Sequence, residues 1–227
     1  MADAEAGEVR TSPLLLKRVE GVRAFRADSR AATTREAASK PHLFQQIAQP
    51  STSHLCIPAH VPESRLYFLA ARFGPDVVTS NANFLTTDAD GFTFAIISST
   101  MFITWQRAAG GRIRSDQRFN KLLTWNTFPL PPTDMDARRR VIAAGAGVLA
   151  ARQRQPDLAL ADLYAPVMSD ELINAHRDLD REVDLLFGLV SQQCTDLGRK
   201  EVLFRRYQEM TAGRLAGRGH VGPAVAG

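Results

Sequence analysis

The first forty residues include apolar and basic residues at a spacing that is typical of a helix. Apolar side chains recur three or four positions apart at Leu15, Val19, Val22 and Phe25, and arginines occupy the other face of such a helix. That period places the apolar residues along one stripe of a helix. The pattern therefore predicts a helical linker over residues 1–40, and the prolines that follow it predict a connector.

Short runs rich in β-branched and aromatic residues follow, between residues 54 and 87. Turn residues, such as Pro62 and the segment FGPD at 73–76, separate these runs from one another. Runs of this kind are typical of strands. The sequence predicts three strands, over 54–59, 65–73 and 76–87.

Helical patterns dominate after residue 90. The apolar run 90–111 predicts one buried helix that ends at a pair of glycines. Beyond Pro132, Thr133 and Asp136 have the spacing of a capping box, and Ser169 is placed to cap a later helix. The helices predicted in this part cover about 134–155, 170–188 and 197–212.

Together these elements predict an α+β protein. A small β-rich domain with a buried helix occupies residues 41–132, preceded by the helical linker and followed by an all-α domain at 133–212. The remaining residues, 213–227, are rich in glycine and are predicted to be disordered.

Composition limits the classes of protein to which the chain can belong. Its 227 residues are 44% hydrophobic and 23% charged, which is ordinary for a globular protein. No apolar run approaches the roughly 20 residues of a membrane span, and the polar, acidic start is unlike a signal peptide. Cys56 and Cys194 form no paired motif, which fits reduced thiols. We therefore expect a cytoplasmic protein that has no membrane partner.

Several motifs of known chemistry are missing. The sequence has no P-loop, no Cys/His spacing that suits zinc and no G-x-S-x-G motif. Gly145, Gly147 and Ala150 do form a G-x-G-x-x-A pattern, but the residues before them start a helix, whereas a dinucleotide-binding loop follows a strand. We interpret these small residues as packing inside a helix.

Two features of the last third are expected to be structural. His176 lies in an amphipathic helix and is interpreted as a partly exposed histidine without a chemical role. Acidic residues at four nearby positions are interleaved with Arg177 and Arg181, which predicts a solvated, salt-bridged face. Those acidic residues are Asp178, Asp180, Glu182 and Asp184.

A net charge of +4 permits nucleic-acid binding without requiring it, but the basic residues are concentrated. Between residues 107 and 121 the cations Arg107, Arg112, Arg114, Arg118 and Lys121 accompany a single aspartate, Asp116. An extended segment points Arg112, Arg114, Asp116 and Arg118 to one face. Charge alone leaves two interpretations open. One is a solvated face, such as a surface β-hairpin in which Arg114 pairs with Asp116, and the other is a surface that binds a polyanion.

An aromatic, proline-rich segment follows the basic one. We expect its Trp125 and Phe128 to pack against the buried helix near Phe102 and Trp105. That packing would fasten the basic segment to the core. Base stacking by Trp125 is a secondary alternative.

Two groups of spaced residues match the motifs of one family. The first group is Gly111, Arg112, Ser115, Arg118 and the segment WNTFP at 125–129, and the second is Leu163, Tyr164, Pro166, Ala175, His176, Leu179 and Asp180. In these motifs the chain resembles the C-terminal part of the large single-chain adenine-specific DNA methyltransferases, which include the MmeI-like type II restriction-modification enzymes. The resemblance extends in order over about residues 14–210 and implies a target recognition domain followed by a helical domain.

The match to this family is incomplete. Gln117 stands where tyrosine is usual, Phe119 and Asn120 stand where Tyr-Ser is common, and Ala165 stands where an aspartate is expected. The motifs of the family's catalytic half are also missing. They are the glycine-rich loop for S-adenosylmethionine, the N-P-P-Y/F tetrad for a flipped adenine and the P-D-x-E-x-K-type nuclease. The intact family uses S-adenosylmethionine, but we expect no cofactor in this chain.

The resemblance implies which residues read DNA. In the MmeI-like enzymes the positions that match Arg114 and Asp116 act as a pair to select one base, which suits an arginine fork on guanine or a carboxylate on cytosine. The residues expected to read bases are Arg114, Asp116, Asn81, Ala82 and His60, with Ala59 beside the last. The residues expected to hold the DNA backbone are Arg107, Arg112, Arg118 and Lys121. An ordinary surface role for Asn81 stays open.

These expectations describe a sequence-specific module that reads double-stranded DNA. It would serve an S-adenosylmethionine-dependent adenine-N6 DNA methyltransferase of a restriction-modification system, and the chain alone would bind without catalysing. It could complement a separately encoded catalytic subunit or be a truncated, non-functional remnant of such an enzyme. The alternative is a protein-interaction module whose helical domain docks a partner.

Overall fold

The computed structural model describes residues 11–45, 50–165 and 167–215. It divides the chain into two compact units, Met1–Gln49 and Pro50–Gly227. The chain is α+β, as predicted. Pro166 of the second motif and most of the tail that was predicted to be disordered, residues 216–227, lie outside the described residues.

The first unit is helical. Helix α1 covers Pro13–Ala27, α2 covers Ala32–Glu36, and a 3₁₀ turn follows at Ala37–Ser39. Proline suits the first turn of α1 because a helix leaves that N–H without an intrahelical partner. No residue of α1 is buried, and Phe25 of the predicted apolar stripe is 75% exposed. The helix is therefore present, but its apolar stripe is uncovered within this unit.

Two small antiparallel sheets lie in the second unit. Their strands are β1 His54–Pro58, β2 His60–Val61, β3 Ala71–Phe73, β4 Asn83–Thr87, β5 Gly111–Ile113 and β6 Asp116–Arg118. The first sheet has the order β3-β1-β4 and the second has the order β2-β6-β5. Because Ala59 alone separates β1 from β2, one continuous stretch of chain joins the two sheets.

The strands predicted over 65–73 and 76–87 are longer than those observed. Only the last residues of each run pair, as β3 and β4. Tyr67 and Phe68 are buried without belonging to a strand. Their apolar character therefore reports burial in the core and not strand pairing.

The apolar run that was predicted as one helix forms two. Helix α3 covers Phe92–Ile97 and α4 covers Thr100–Ala109. The hydroxyl of Ser99 donates to the Ile96 carbonyl (2.7 Å) and accepts from the Phe102 N–H (3.2 Å). A serine that caps a helix in this way competes with a continuous backbone ladder. The one-helix prediction is wrong, although both helices are buried as expected.

The aromatic segment packs as predicted. The ring centroids of Trp125 and Phe128 lie 5.9 and 5.5 Å from that of Phe102. The indole N–H of Trp105 donates to the Thr124 carbonyl at 3.1 Å. Trp125 is only 4% exposed, so its ring has no face available for base stacking.

The rest of the second unit is helical. Its helices are α5 Met135–Gln153, α6 Leu160–Leu163, α7 Asp170–Leu186 and α8 Asp196–Leu215, with a 3₁₀ turn at Ser191–Gln193. Ser169 caps α7, as predicted. The predicted capping box before α5 is wrong by one residue, because Asp134 accepts from the Ala137 N–H (2.7 Å), whereas the Thr133 hydroxyl donates to the Pro131 carbonyl.

The G-x-G-x-x-A residues lie inside α5. A Cβ added at Gly145 would lie 2.7 Å from the Cβ of Ala95 on α3, a separation that real side chains do not tolerate. This close approach confirms that Gly145 serves helix packing, as interpreted from the sequence.

Candidate nucleic-acid interface

The basic segment folds into a β-hairpin. Strands β5 and β6 pair so that Gly111 lies opposite Arg118, Arg112 opposite Gln117 and Ile113 opposite Asp116. Two residues, Arg114 and Ser115, therefore close the turn. Arg114 has a φ of 58°, which is the left-handed region that glycine adopts without a steric penalty.

The turn changes which side chains share a face. Because side chains alternate along a strand and directly paired residues point the same way, Asp116 and Arg118 lie on one face of the hairpin. Arg112 lies opposite Gln117 on the other face, and Arg114 is at the tip. The prediction that all four charged residues share one face of an extended segment is wrong for this reason.

The backbone brings together three segments that are distant in sequence. His60 pairs with Arg118 between β2 and β6. The N–H of Ala59 donates to the Ala82 carbonyl, and the N–H of Phe119 donates to the Ala59 carbonyl, both at 2.9 Å. We call the surface formed by residues 59–60, 81–82 and 112–118 the hairpin edge.

The hairpin edge contains every residue that was predicted to read bases. Their side chains are exposed except for the half-buried Ala59, and they are His60, Asn81, Ala82, Arg114 and Asp116. By the strand register His60, Asp116 and Arg118 lie on one exposed face of the second sheet. The structure therefore assembles in one place residues that the chain separates by more than fifty positions.

Glu63, just after β2, contacts the hairpin twice. Its carboxylate lies 3.3 Å from the guanidinium of Arg112, and its backbone N–H donates to the Asp116 carboxylate at 3.3 Å. Within the described residues no ion pair joins Arg114 to Asp116. The charge pairing expected of a plain surface hairpin is therefore made by Arg112 with Glu63 instead.

Cations without a partner are concentrated at this edge. In the part of the second unit whose side chains are described, the cations with neither an acidic partner nor a side-chain hydrogen bond are Arg114, Arg118, Lys121 and Arg205. Three of these four fall between residues 114 and 121. In the helical domain, by contrast, Arg138, Arg139, Arg140, Arg154 and Arg181 form ion pairs with carboxylates.

Arg107 differs from the other predicted contacts to the DNA backbone. Its guanidinium is half-buried and donates to the Arg65 carbonyl at 3.0 Å. The guanidinium of Arg65 in turn donates to the Tyr164 carbonyl in the helical domain. The side chain of Arg107 therefore bonds to the protein backbone, whereas those of Arg118 and Lys121 make no hydrogen bond or ion pair within the described residues.

The core holds the hairpin from beneath. The amide of Gln106 on α4 donates to the Arg118 carbonyl at 2.9 Å. The ring of Phe119 is buried, with its centroid 5.0 Å from that of Phe84 and 5.8 Å from that of Phe68. The charged side chains are thus presented from a fixed backbone.

A second concentration of polar groups is buried, and it was not predicted from the sequence. His176 is fully buried, so the prediction of partial exposure is wrong. Its ring stacks on Tyr67, with centroids 3.7 Å apart, and its Nε2 lies 2.6 Å from the Tyr164 hydroxyl. Arg152 donates to that hydroxyl (2.9 Å) and to the Ala70 carbonyl (2.7 Å). Burial, together with the charge of Arg152, lowers the pKa of His176 to about 3.

Asp180 extends this group by one helical turn. Its carboxylate accepts from the Thr100 N–H at 2.6 Å and from the Thr100 hydroxyl at 2.5 Å. Burial raises the pKa of Asp180 to about 6, against the opposing effect of these hydrogen bonds. We call this group, which joins residues before Pro132 to residues after it, the buried polar cluster. Its members are Tyr67, Thr100, Arg152, Tyr164, His176 and Asp180.

The prediction of a solvated acidic face on α7 is half wrong. Asp178 forms an exposed ion pair with Arg181, as expected, and the half-buried Glu182 pairs with Arg140. Asp180 and Asp184 are buried, and Asp184 is held by two bonds from Arg199, at 2.9 and 2.6 Å. A signal was present in the sequence, because polar residues 176, 180 and 184 recur every four positions and therefore share a helix face.

Among the helices of the described ranges, none is both long enough and apolar enough to cross a membrane. Unpaired cations and polar side chains on a fixed backbone, as found at the hairpin edge, are the groups with which nucleic-acid-binding surfaces meet phosphates and base edges.

Two family models match the chain in succession. The model of the MmeI target recognition domain matches residues 1–132, and the model of the MmeI C-terminal domain matches residues 134–215. DNA methyltransferase A of Bacillus subtilis (strain 168) is 30% identical over 210 residues, which are 92% of this chain and 24% of that protein.

A solved structure is similar as well. The structure of the type IIL restriction-modification enzyme MmeI in complex with DNA has 37% sequence identity and a TM-score of 0.84. The similarity covers 92% of this chain and 28% of that one. The chain thus spans about a quarter of the length of the two proteins that it matches.

Proposed function

This chain belongs to the MmeI family, and on that basis we propose that it reads a specific sequence in double-stranded DNA for a restriction-modification methyltransferase. The hairpin edge is the observation that carries the proposal. It combines unpaired arginines, a carboxylate and an amide on one exposed surface with a fixed backbone, which is what sequence readout requires.

Each side chain of the edge suits a particular contact. Arg114 at the turn tip projects from the fold and has a guanidinium that fits the O6 and N7 edge of guanine. Asp116 can accept from cytosine N4, and Asn81 can bind adenine N6 and N7. Arg118 and Lys121 suit phosphates, which position the protein without reading sequence.

The chemistry served by this reader is part of the same proposal. We infer transfer of a methyl group from S-adenosylmethionine to adenine N6, carried out by a catalytic domain or by a separately encoded subunit in the cytoplasm. The support is the similarity to DNA methyltransferase A of Bacillus subtilis, of which this chain matches 24%. The purified chain, given S-adenosylmethionine and DNA, is expected to incorporate no methyl label above background.

Selection from a pool of random duplexes tests the proposal. The 227-residue chain is incubated with the pool at several salt concentrations, and the retained DNA is sequenced. We expect one enriched sequence, with an affinity that falls by about one log unit per log of salt for each phosphate contacted. Retention without enrichment, or binding that is insensitive to salt, contradicts the proposal; insensitivity would instead suit a protein-interaction module.

A further inference from the structure

Glu63 is the only residue outside the hairpin, within the described chain, whose contacts hold two of the hairpin's charged side chains. Its carboxylate is paired with Arg112, and its N–H is bonded to the carboxylate of Asp116. Both partners lie about fifty residues later in the chain. In the sequence, Asp116 is the only acidic residue of the hairpin. Glu63 therefore adds a second negative charge beside it.

The turn that carries Glu63 is fixed at its other end. The Arg65 N–H donates to the Pro62 carbonyl at 3.1 Å. The Arg65 carbonyl accepts from Arg107 on α4, and the Arg65 guanidinium reaches the Tyr164 carbonyl. These bonds hold the backbone of the turn beside the hairpin, and from there the Glu63 carboxylate reaches Arg112.

Stability does not explain this pairing. The side chains of Arg112 and Glu63 are 48% and 57% exposed, and ion pairs with this exposure contribute little to the free energy of unfolding. The pairing does change the charge that DNA meets. The three arginines Arg112, Arg114 and Arg118 are opposed by Asp116 and Glu63, which leaves a net charge of only +1.

We propose that Glu63 is a specificity-determining residue, whose carboxylate occupies Arg112 and so denies it to the phosphates of non-cognate DNA. This inference rests on the proposed DNA-reading function. Attraction to phosphates is independent of sequence, so an arginine that is free to bind them stabilises every site alike. An arginine paired with Glu63 adds less to binding at random sites, and discrimination then depends more on the base-reading side chains.

The test compares Glu63→Gln with the unaltered chain on a duplex of random sequence. The substitution keeps the backbone N–H that bonds Asp116 and removes only the charge. We expect tighter binding and a slope of log affinity against log salt that steepens by about 0.9, the value for one added phosphate contact. Between about 50 and about 200 mM salt, this steeper slope means that the affinity of the variant for DNA falls by roughly threefold more than that of the unaltered chain. Glu63→Ala is expected to act in the same direction.

Glu171→Gln is the matched control. Glu171 pairs with Arg154 in the helical domain and is also 57% exposed, so the substitution removes the same charge from a comparable pair. We expect it to leave the slope unchanged. The double variant Glu63→Gln, Arg112→Gln is expected to return the slope to that of the unaltered chain or below it.

The outcomes separate this inference from the function on which it rests. A slope that Glu63→Gln does not steepen, or that Glu171→Gln steepens equally, overturns the role of Glu63 while DNA binding stands. An increase that persists in the double variant also overturns it, because the released arginine would not be the cause. An unaltered chain that binds no duplex removes the proposed function and this inference together.

Discussion

The hairpin edge and the buried polar cluster contain similar residue types but use them in opposite ways. At the edge, the guanidinium groups of Arg114 and Arg118 have no partner within the described residues. In the cluster, Arg152 holds Tyr164 and the backbone, and Asp180 accepts two bonds from Thr100. Water solvates an unpaired polar group at a surface, whereas a buried one is costly unless it is bonded. Substitutions at the hairpin edge are therefore expected to leave the fold intact, whereas substitutions in the buried polar cluster are expected to destabilise it.

The cluster also explains why the recognition and helical parts of the second unit hold together. Tyr67 and Thr100 come from the part before Pro132, and His176 and Asp180 come from α7. Hydrogen bonds between them fix geometry in a way that apolar packing alone does not. The motifs around Tyr164 and around His176 thus attach the helical domain to the part of the chain before Pro132.

The largest expected effect comes from breaking the buried ion pair beside the cluster. Arg199→Met leaves Asp184, whose side chain is only 3% exposed, without its counter-charge. Loss of one partner of a buried pair costs about 3–5 kcal/mol, measured as the free energy of unfolding in urea. Arg181→Met is the control, because it removes an exposed pair with Asp178 and is expected to cost at most about 1 kcal/mol. Equal losses for the two variants would contradict the contrast between buried and exposed charge.

The next effect is a dependence of stability on pH. The pKa of His176 is lowered from 6.5 to about 3, so the folded chain binds fewer protons than the unfolded chain in that window. The contribution of His176 to the free energy of unfolding is therefore fully present above pH 6.5 and is lost as the pH falls toward 3. The pKa of Asp180 is raised from 3.8 to about 6, so its contribution is present below 3.8 and is lost as the pH rises through 6. The two slopes oppose each other between 3.8 and 6.

Single variants measure each dependence separately. The slope of the free energy of unfolding against pH reaches about 1.4 kcal/mol per pH unit for one proton. Relative to Asp180→Asn, the unaltered chain is expected to gain stability as the pH falls from 6 to 3.8. Relative to His176→Gln, it is expected to lose stability as the pH falls from 6.5. Urea unfolding at several pH values measures both differences. Differences that do not vary with pH would show that these groups titrate alike in the folded and unfolded chain.

The smallest expected effect comes from Lys121, three residues beyond the hairpin edge. Lys121→Ala removes one cation that has no partner among the described residues, and it should leave the unfolding free energy within about 0.5 kcal/mol. It should make the slope of log affinity against log salt shallower by about 0.9 and leave the selected sequence unchanged. Titration of a fluorescent duplex at several salt concentrations measures the slope. An altered selected sequence would mean that Lys121 reads a base.

The sequence was sufficient to predict the fold class, the helical domain, the cap at Ser169 and the packing of Trp125 and Phe128. These features depend on local periodicity, caps and large apolar side chains, all of which are read along the chain. The break at Ser99 was not predicted although Ser98, Ser99 and Thr100 interrupt the apolar run there, because serine and threonine also occur inside continuous helices, where their hydroxyls bond to the preceding turn. The sequence also could not place Glu63 beside Arg112, since that contact depends on strand pairing across 49 residues.

The buried polar cluster was missed for a different reason. Asp180 and Asp184 were assigned to a solvated face because of their charge, which by itself predicts exposure, and His176 was predicted to be partly exposed on an amphipathic helix. Their four-residue spacing beside Leu172 and Leu179 placed them on the buried face of α7. The roles of Arg114, Asp116, Asn81, Ala82 and His60 in base reading stay predictions, which the structure makes specific by placing these residues together.

Site selection with Arg114→Gly tests the central claim most directly. Glycine adopts the φ of 58° at this position without strain, so the variant should fold at least as well as the unaltered chain, and any change in DNA binding reflects the lost guanidinium. We predict relaxed preference at one base position, by about 1–3 kcal/mol, with the other positions retained. The control is Arg205→Ala, which removes another unpaired guanidinium, from α8, and is expected to leave the selected sequence unchanged. Alanine is used there because glycine would destabilise the helix. An identical selected sequence for Arg114→Gly and the unaltered chain would contradict the claim that the hairpin tip reads a base.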